Sequence, residues 1–171
     1  MKTVGALVFA LLAVVVLLFL ANRTAVPSAI TDAEIAEVEA EITEWAESWL
    51  DVWRGNDCEL SRPLIHPTRS VFVFQGKPTR NIDDWMTYCG RTIENRASWS
   101  GSWTDIEVRV LSANAAEIIG THSATITYRD ETPARSYPIS TQIINLERTA
   151  TGWGMTHYWY QTGPPEVVEE G

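Results

Sequence analysis

The strongest constraint on the fold is the order of two periodicities after residue 30. Apolar residues first recur at steps of three and four, and a long run of two-residue alternation follows, closing on Gly152-Trp153-Gly154-Met155-Thr156-His157. Helical spacing followed by strand spacing predicts an α+β domain, with helices covering one face of a curved antiparallel sheet. Such an arrangement can enclose a pocket.

Thr31 and Glu34 form a capping box before Ile35, Val38, Ile42, Trp45, Trp49 and Trp53, which share one face of a helix ended by Gly55. Asp57 is placed to cap a second, short helix through Leu60, Leu64 and Ile65, stopped by His66-Pro67. Val71 to Phe74 reads as a short strand, with a turn at Gln75-Gly76-Lys77-Pro78. Asn81 is placed to cap a third helix carrying Ile82, Trp85, Met86 and Cys89.

Four strands follow. Ile106, Val108 and Val110 share the apolar face of the first. Ile118, Gly120, His122, Ala124, Ile126 and Tyr128 share a face of the second. Tyr137, Ile139, Thr141, Ile143 and Asn145 do so on the third, and Trp153, Met155, His157, Trp159 and Gln161 on the fourth. Trp99 and Trp103 straddle Gly101, which suggests a bulge or bend. Residues 164–171, with Pro164-Pro165 and then Glu166 to Gly171, read as an acidic tail without fixed structure.

Val4 to Ala21 is an uncharged apolar run of 18 residues, about 27 Å as a helix and close to the thickness of a bilayer core. Lys2 precedes it, which keeps the amino terminus cytoplasmic and exports the rest. Residues 1–25 are therefore expected to be a transmembrane signal anchor or a cleaved signal peptide. The length of the run favours the anchor. Residues 26–30 form a linker, and residues 31–163 form the domain. The expected location is the extracytoplasmic, periplasmic side of the inner membrane, or secretion if the segment is cleaved. Without Lys2 and Arg23, 11 basic residues of the 13 face 22 acidic ones. That balance opposes binding to nucleic acid, because phosphate contacts need Lys and Arg.

Cys58 and Cys89 have two readings, a disulfide in an oxidising compartment or two buried thiols. Neither has a histidine at ligand spacing, so no metal site is expected.

The helix-to-strand order and several motifs resemble the SnoaL-like branch of the nuclear-transport-factor-2-like superfamily. Trp45-Ala46-Glu47-Ser48-Trp49 with Gly55-Asn56-Asp57 resembles the first helix and its exit. His66-Pro67 through Phe74 resembles the approach to the first strand. Gly152-Trp153-Gly154-Met155-Thr156-His157-Tyr158-Trp159 is similar to the final-strand pattern. The resemblance spans about residues 31–163. It implies a cone-like fold around a pocket, often in a homodimer joined through the sheet. Activities in the family include isomerisation, cyclisation, dehydration and epoxide hydrolysis, and many members only bind or associate. The isomerases use an aspartate base with a tyrosine and a protonated acid. Here the base position carries His66, and Trp159 stands where a second His is common.

The expected function is a membrane-tethered module that binds a small hydrophobic molecule, or associates, without a cofactor. The alternative is a SnoaL-like isomerase, cyclase or hydrolase. In it His157, His122 and His66 would move protons, and Tyr128 or Tyr137 would donate to an oxyanion. Each histidine also has a structural reading, as a bonded core residue or a surface corner. Trp45, Trp49, Trp53 and Trp159 are candidate pocket walls, although the first three are most simply core contacts at helical spacing. Arg96 and Arg109 have two readings, holding an anionic ligand or pairing with surplus acid at the surface, and the surface pairing is the expected one. No Gly-x-Ser-x-Gly, His-Glu-x-x-His or phosphate loop occurs.

Overall fold

The structure, a computed structural model, describes residues 30–74, 76–79 and 81–168. The expected anchor or signal segment, most of the linker and residues 169–171 lie outside them. Among the described residues no helix is long and apolar enough to cross a membrane.

Helix α1 (Asp32–Arg54) turns Val38, Ile42, Trp45, Trp49 and Val52 inward. Val38, Ile42, Trp45 and Trp49 belong to the face read from the sequence, and Val52 joins them. A 3₁₀ helix follows at Cys58–Leu64, capped by Asp57, whose side chain accepts from the Glu59 N–H at 2.9 Å. Helix α2 (Ile82–Ile93) starts at Asn81, whose Oδ1 accepts from the Asp84 N–H at 2.7 Å. These bonds satisfy amide donors that the first helical turn leaves free. Cys58 and Cys89 are joined in a disulfide with Cα atoms 5.9 Å apart, tying the 3₁₀ helix to α2.

The strands are β1 (Val71–Phe74), β2 (Lys77–Thr79), β3 (Arg96–Ser112), β4 (Ala115–Tyr128), β5 (Arg135–Thr149), β6 (Gly152–Thr162) and β7 (Glu166–Val167). They form one sheet in the order β2-β1-β6-β5-β4-β3, with β7 beside the start of β5. The expected four-strand meander is β3 to β6. Its inner face packs on the helices around Trp49 and Trp85, both fully buried, with ring centroids 5.2 Å apart. Truncating either ring to alanine would cost roughly 3–5 kcal/mol.

Four expectations need correction. The sheet is mixed, because β1 runs parallel to β6 with Val73 beside Trp159. Lys77 to Thr79, read as part of a turn, pairs back on β1 as β2. The acidic tail is not free, since Glu166–Val167 pair with Ser136 and Arg135. Finally, two bulges break the alternation on which face assignments rested.

On β6, Met155 opposes Leu146 while His157 opposes Asn145, so Thr156 is an extra residue. Its Oγ1 donates to the Asn145 carbonyl at 3.2 Å. One inserted residue reverses every later side chain. Tyr158 therefore turns inward, and His157 and Trp159 turn to the outer face. On β5, Pro138 and Ile139 together oppose Ser123, because His122 opposes Ser140 and Ala124 opposes Tyr137. Tyr137 faces inward, but Ser140, Gln142, Ile144 and Leu146 replace the expected set, leaving Ile139 64% exposed.

Pairing with β4 is regular from Ser98 through Gly101 to Trp103, and the irregularity expected at Gly101 falls instead between Trp103 and Asp105. A Cβ at Gly120 would lie 2.8 Å from Cζ3 of Trp103, so glycine admits the indole over β4. Trp103 Nε1 then donates to the Ala46 carbonyl of α1 at 3.2 Å.

Candidate functional site

A cavity of about 190 Å³ lies between the helices and the inner face of the sheet. Trp53 enters it from the end of α1, Tyr88 and Thr92 from α2, and Phe74 from β1. Arg96 and Trp99 come from the start of β3, His122, Ala124 and Ile126 from β4, Tyr137, Ser140 and Gln142 from β5, and Tyr158, Tyr160 and Thr162 from β6. Among the described residues the wall is mostly aromatic, with scattered hydroxyls, one arginine and no carboxylate.

His122 sits in a directed chain of hydrogen bonds. Trp49 Nε1 lies 3.2 Å from Gln142 Oε1, and Gln142 Nε2 lies 2.8 Å from His122 Nδ1. An indole N–H only donates. It fixes the amide orientation, so the amide N–H donates to Nδ1 and the neutral ring carries its proton on Nε2. Burial pushes the His122 pKa down to about 4. Near neutral pH the ring is thus an uncharged donor, packed against Tyr160 with centroids 6.0 Å apart. Burial also holds the Tyr88 phenol above its ordinary value, and the Tyr158 phenol well above it.

The other expected site residues are dispersed. His157 is on the outer face, with Nδ1 3.3 Å from its neighbour Thr156 Oγ1. His66 holds the corner before β1, its Nδ1 accepting from the Thr68 and Arg69 amides at 3.3 and 3.2 Å. Neither lines the cavity. Trp45 is core, its Nε1 donating to the Trp153 carbonyl at 3.1 Å. Trp49 is outside the lining but supports it through Gln142 and by packing on Trp53 and Tyr158, with ring centroids 6.1 and 5.2 Å away, and Trp53 does line the cavity. Trp159 does not, because the Thr156 bulge turns it outward. Tyr137 lines the cavity, whereas Tyr128 lies outside it, its phenol raised by burial and then by Tyr137. No hydrogen bond joins His122 to Tyr137. Among the described residues no cluster of three or more His, Cys, Asp or Glu is placed to hold a metal ion.

Arg96 departs from its preferred sequence reading. It was expected at the surface with an acidic partner, and Arg109 is, bonded to Glu107 at 2.7 Å. Arg96 is instead 3% exposed, with Nε and Nη1 buried and unpartnered. Its guanidinium lies 5.4 Å from the Trp53 ring centroid, and burial lowers its pKa from the ordinary arginine value. The sequence carried one signal for it, a cation at the opening of a strand immediately after a helix.

No family model matches the sequence, and no curated protein matches it. Solved structures do match. A nuclear transport factor 2 (NTF2-like) superfamily protein from Salmonella enterica serovar Typhimurium superposes with a TM-score of 0.69 at 20% identity, covering 80% of this chain and 99% of that one. The chain has the nuclear-transport-factor-2-like fold. A candidate scytalone dehydratase from Novosphingobium aromaticivorans gives 0.73 at 10% identity, covering 82% and 94%. The hexachlorocyclohexane dehydrochlorinase LinA-type3 from Novosphingobium barchaimii gives 0.69 at 9% identity, covering 81% and 94%. At these identities the likeness establishes the fold and no activity.

Proposed function

We propose that this protein is an extracytoplasmic module that holds a small, largely apolar molecule in its cavity and releases it unchanged. The observation that carries this reading is the cavity wall, which among the described residues is mostly aromatic and free of carboxylates, with one histidine whose hydrogen-bond partner is an amide. General acid–base catalysis needs groups poised to take and return a proton within reach of one substrate. Of the three histidines only His122 meets the cavity, and its Nδ1 is already occupied by Gln142. The neighbours named as dehydratase and dehydrochlorinase supply the competing reading, an enzyme relying on His122.

Residues 1–25 would tether the domain to the outer side of the inner membrane. The Cys58–Cys89 disulfide supports that location, because such bonds persist in oxidising compartments. A homodimer through the outer sheet face is part of the proposal. Val73, Trp159, Ile143 and Ile119 stand in register across four neighbouring strands on that face, an apolar row suited to a second copy.

Titration of the full-length protein in mild detergent with small aromatic compounds, followed by tryptophan fluorescence, tests the binding reading. Trp53 and Trp99 line the cavity and would report saturation. Ala124→Phe fills it and is expected to remove the response while the fold persists. Chemical conversion of a bound compound that depends on His122 would overturn the reading in favour of an enzyme.

A further inference from the structure

We infer that the cavity selects a small carboxylate: an anionic head held at Arg96, with an apolar or monocyclic aromatic body against the ring wall. The inference rests on the binding reading above and names its ligand class.

Among the described residues Arg96 is the only charged residue lining the cavity, and it is almost wholly buried. A buried charge is costly unless it is paired. Its guanidinium makes no hydrogen bond and no ion pair among the described residues, and two of its nitrogens are buried without a partner. Its guanidinium lies over the Trp53 ring, and a cation–π contact leaves the N–H donors unsatisfied. Arginine does not escape by losing its proton, as lysine can. A group that accepts hydrogen bonds and carries negative charge would satisfy it, and a planar carboxylate matches the guanidinium.

The rest of the wall fits the same class. His122 Nε2–H is a donor that no described residue takes up, and Tyr137 and Tyr160 bring phenolic hydroxyls. Among the described residues no acidic side chain lines the cavity to oppose an anion. For size, an apolar cavity of about 150 Å³ accepts benzene. About 190 Å³ therefore suits one ring, or a short aliphatic chain, carrying a compact head.

The test compares three carboxylates with their neutral amides by isothermal titration of the full-length protein in mild detergent at pH 7.5: benzoate and benzamide, phenylacetate and phenylacetamide, hexanoate and hexanamide. At least one carboxylate is expected to bind tenfold or more tighter than its amide. Arg96→Met is expected to abolish that preference while keeping amide binding. It is also expected to melt no lower than wild type, since it removes an unpaired buried charge. Equal affinity for acids and amides in wild type would overturn the carboxylate inference and leave the binding module standing. Binding of neither set would overturn both. Should Arg96→Met fail to fold, Arg96 would be structural, and the wild-type comparison alone would still decide selectivity.

Discussion

Lowering the pH should destabilise this protein through His122. The ring's ordinary pKa of 6.5 is pushed down to about 4 by burial. Between those values the unfolded chain binds a proton that the folded one refuses, so stability rises with pH. The contribution is complete above about pH 6.5 and is lost as pH falls toward 4. Integrating that difference from pH 7 to pH 5 gives a loss of about 2 kcal/mol, and the whole shift is worth about 3 kcal/mol. The window can be separated from the carboxylates. Glu41, held low first by its hydrogen bond from Arg148 and then by that from Trp153, loses its contribution only as pH falls below the ordinary carboxylate value of 4.5. The assay is urea unfolding of the full-length, oxidised protein at several pH values between 7.5 and 5, for wild type and His122→Gln. Wild type should lose about 2 kcal/mol more than the variant over this range. Parallel slopes would mean that His122 is solvated or protonated in the folded state, and the neutral-donor assignment would fall.

Gln142→Leu leaves Trp49 Nε1–H and His122 Nδ1 buried without partners, and should cost about 2–4 kcal/mol in chemical unfolding. Replacing both Cys58 and Cys89 by alanine opens a loop of separation 31 and should cost about 3–4 kcal/mol, read as a lower denaturation midpoint. Gly120→Val drives a side chain into the Trp103 ring and should cost about 1–3 kcal/mol, with a change in near-ultraviolet circular dichroism as the indole moves. Ile143→Glu on the outer sheet face should convert the proposed dimer to a monomer in light scattering, with little change in melting temperature.

Much of the architecture was legible because local rules were obeyed. The α1 stripe from Val38 to Trp53, the caps Asp57 and Asn81, and the alternation of β4 through Ile118, His122 and Ala124 all follow backbone periodicity. The candidate site was less legible because it depends on where periodicity breaks. Thr156 carries no mark that distinguishes it from a regular strand residue. Its bulge nonetheless exchanges His157 and Trp159 for Tyr158 and Tyr160 in the cavity. Pro138, which cannot donate to a ladder, was a usable sign of the second bulge. The parallel pairing of β1 with β6 joins segments more than eighty residues apart, and no local pattern encodes it. Arg96 was misplaced for a related reason. An acidic composition predicts partners for an average arginine, but its burial is set by α1 and the tyrosines gathered from four other elements.

The central claim is that the cavity holds a molecule and returns it intact. Native mass spectrometry of the full-length protein, purified gently from the producing cells and released from detergent in the gas phase, tests it most directly. The account predicts a reproducible extra mass on each protomer, lost in Ala124→Phe, and recovered after dissociation as the same compound before and after prolonged incubation. A protomer that carries no added mass, even after exposure to the acids and amides above, would contradict it.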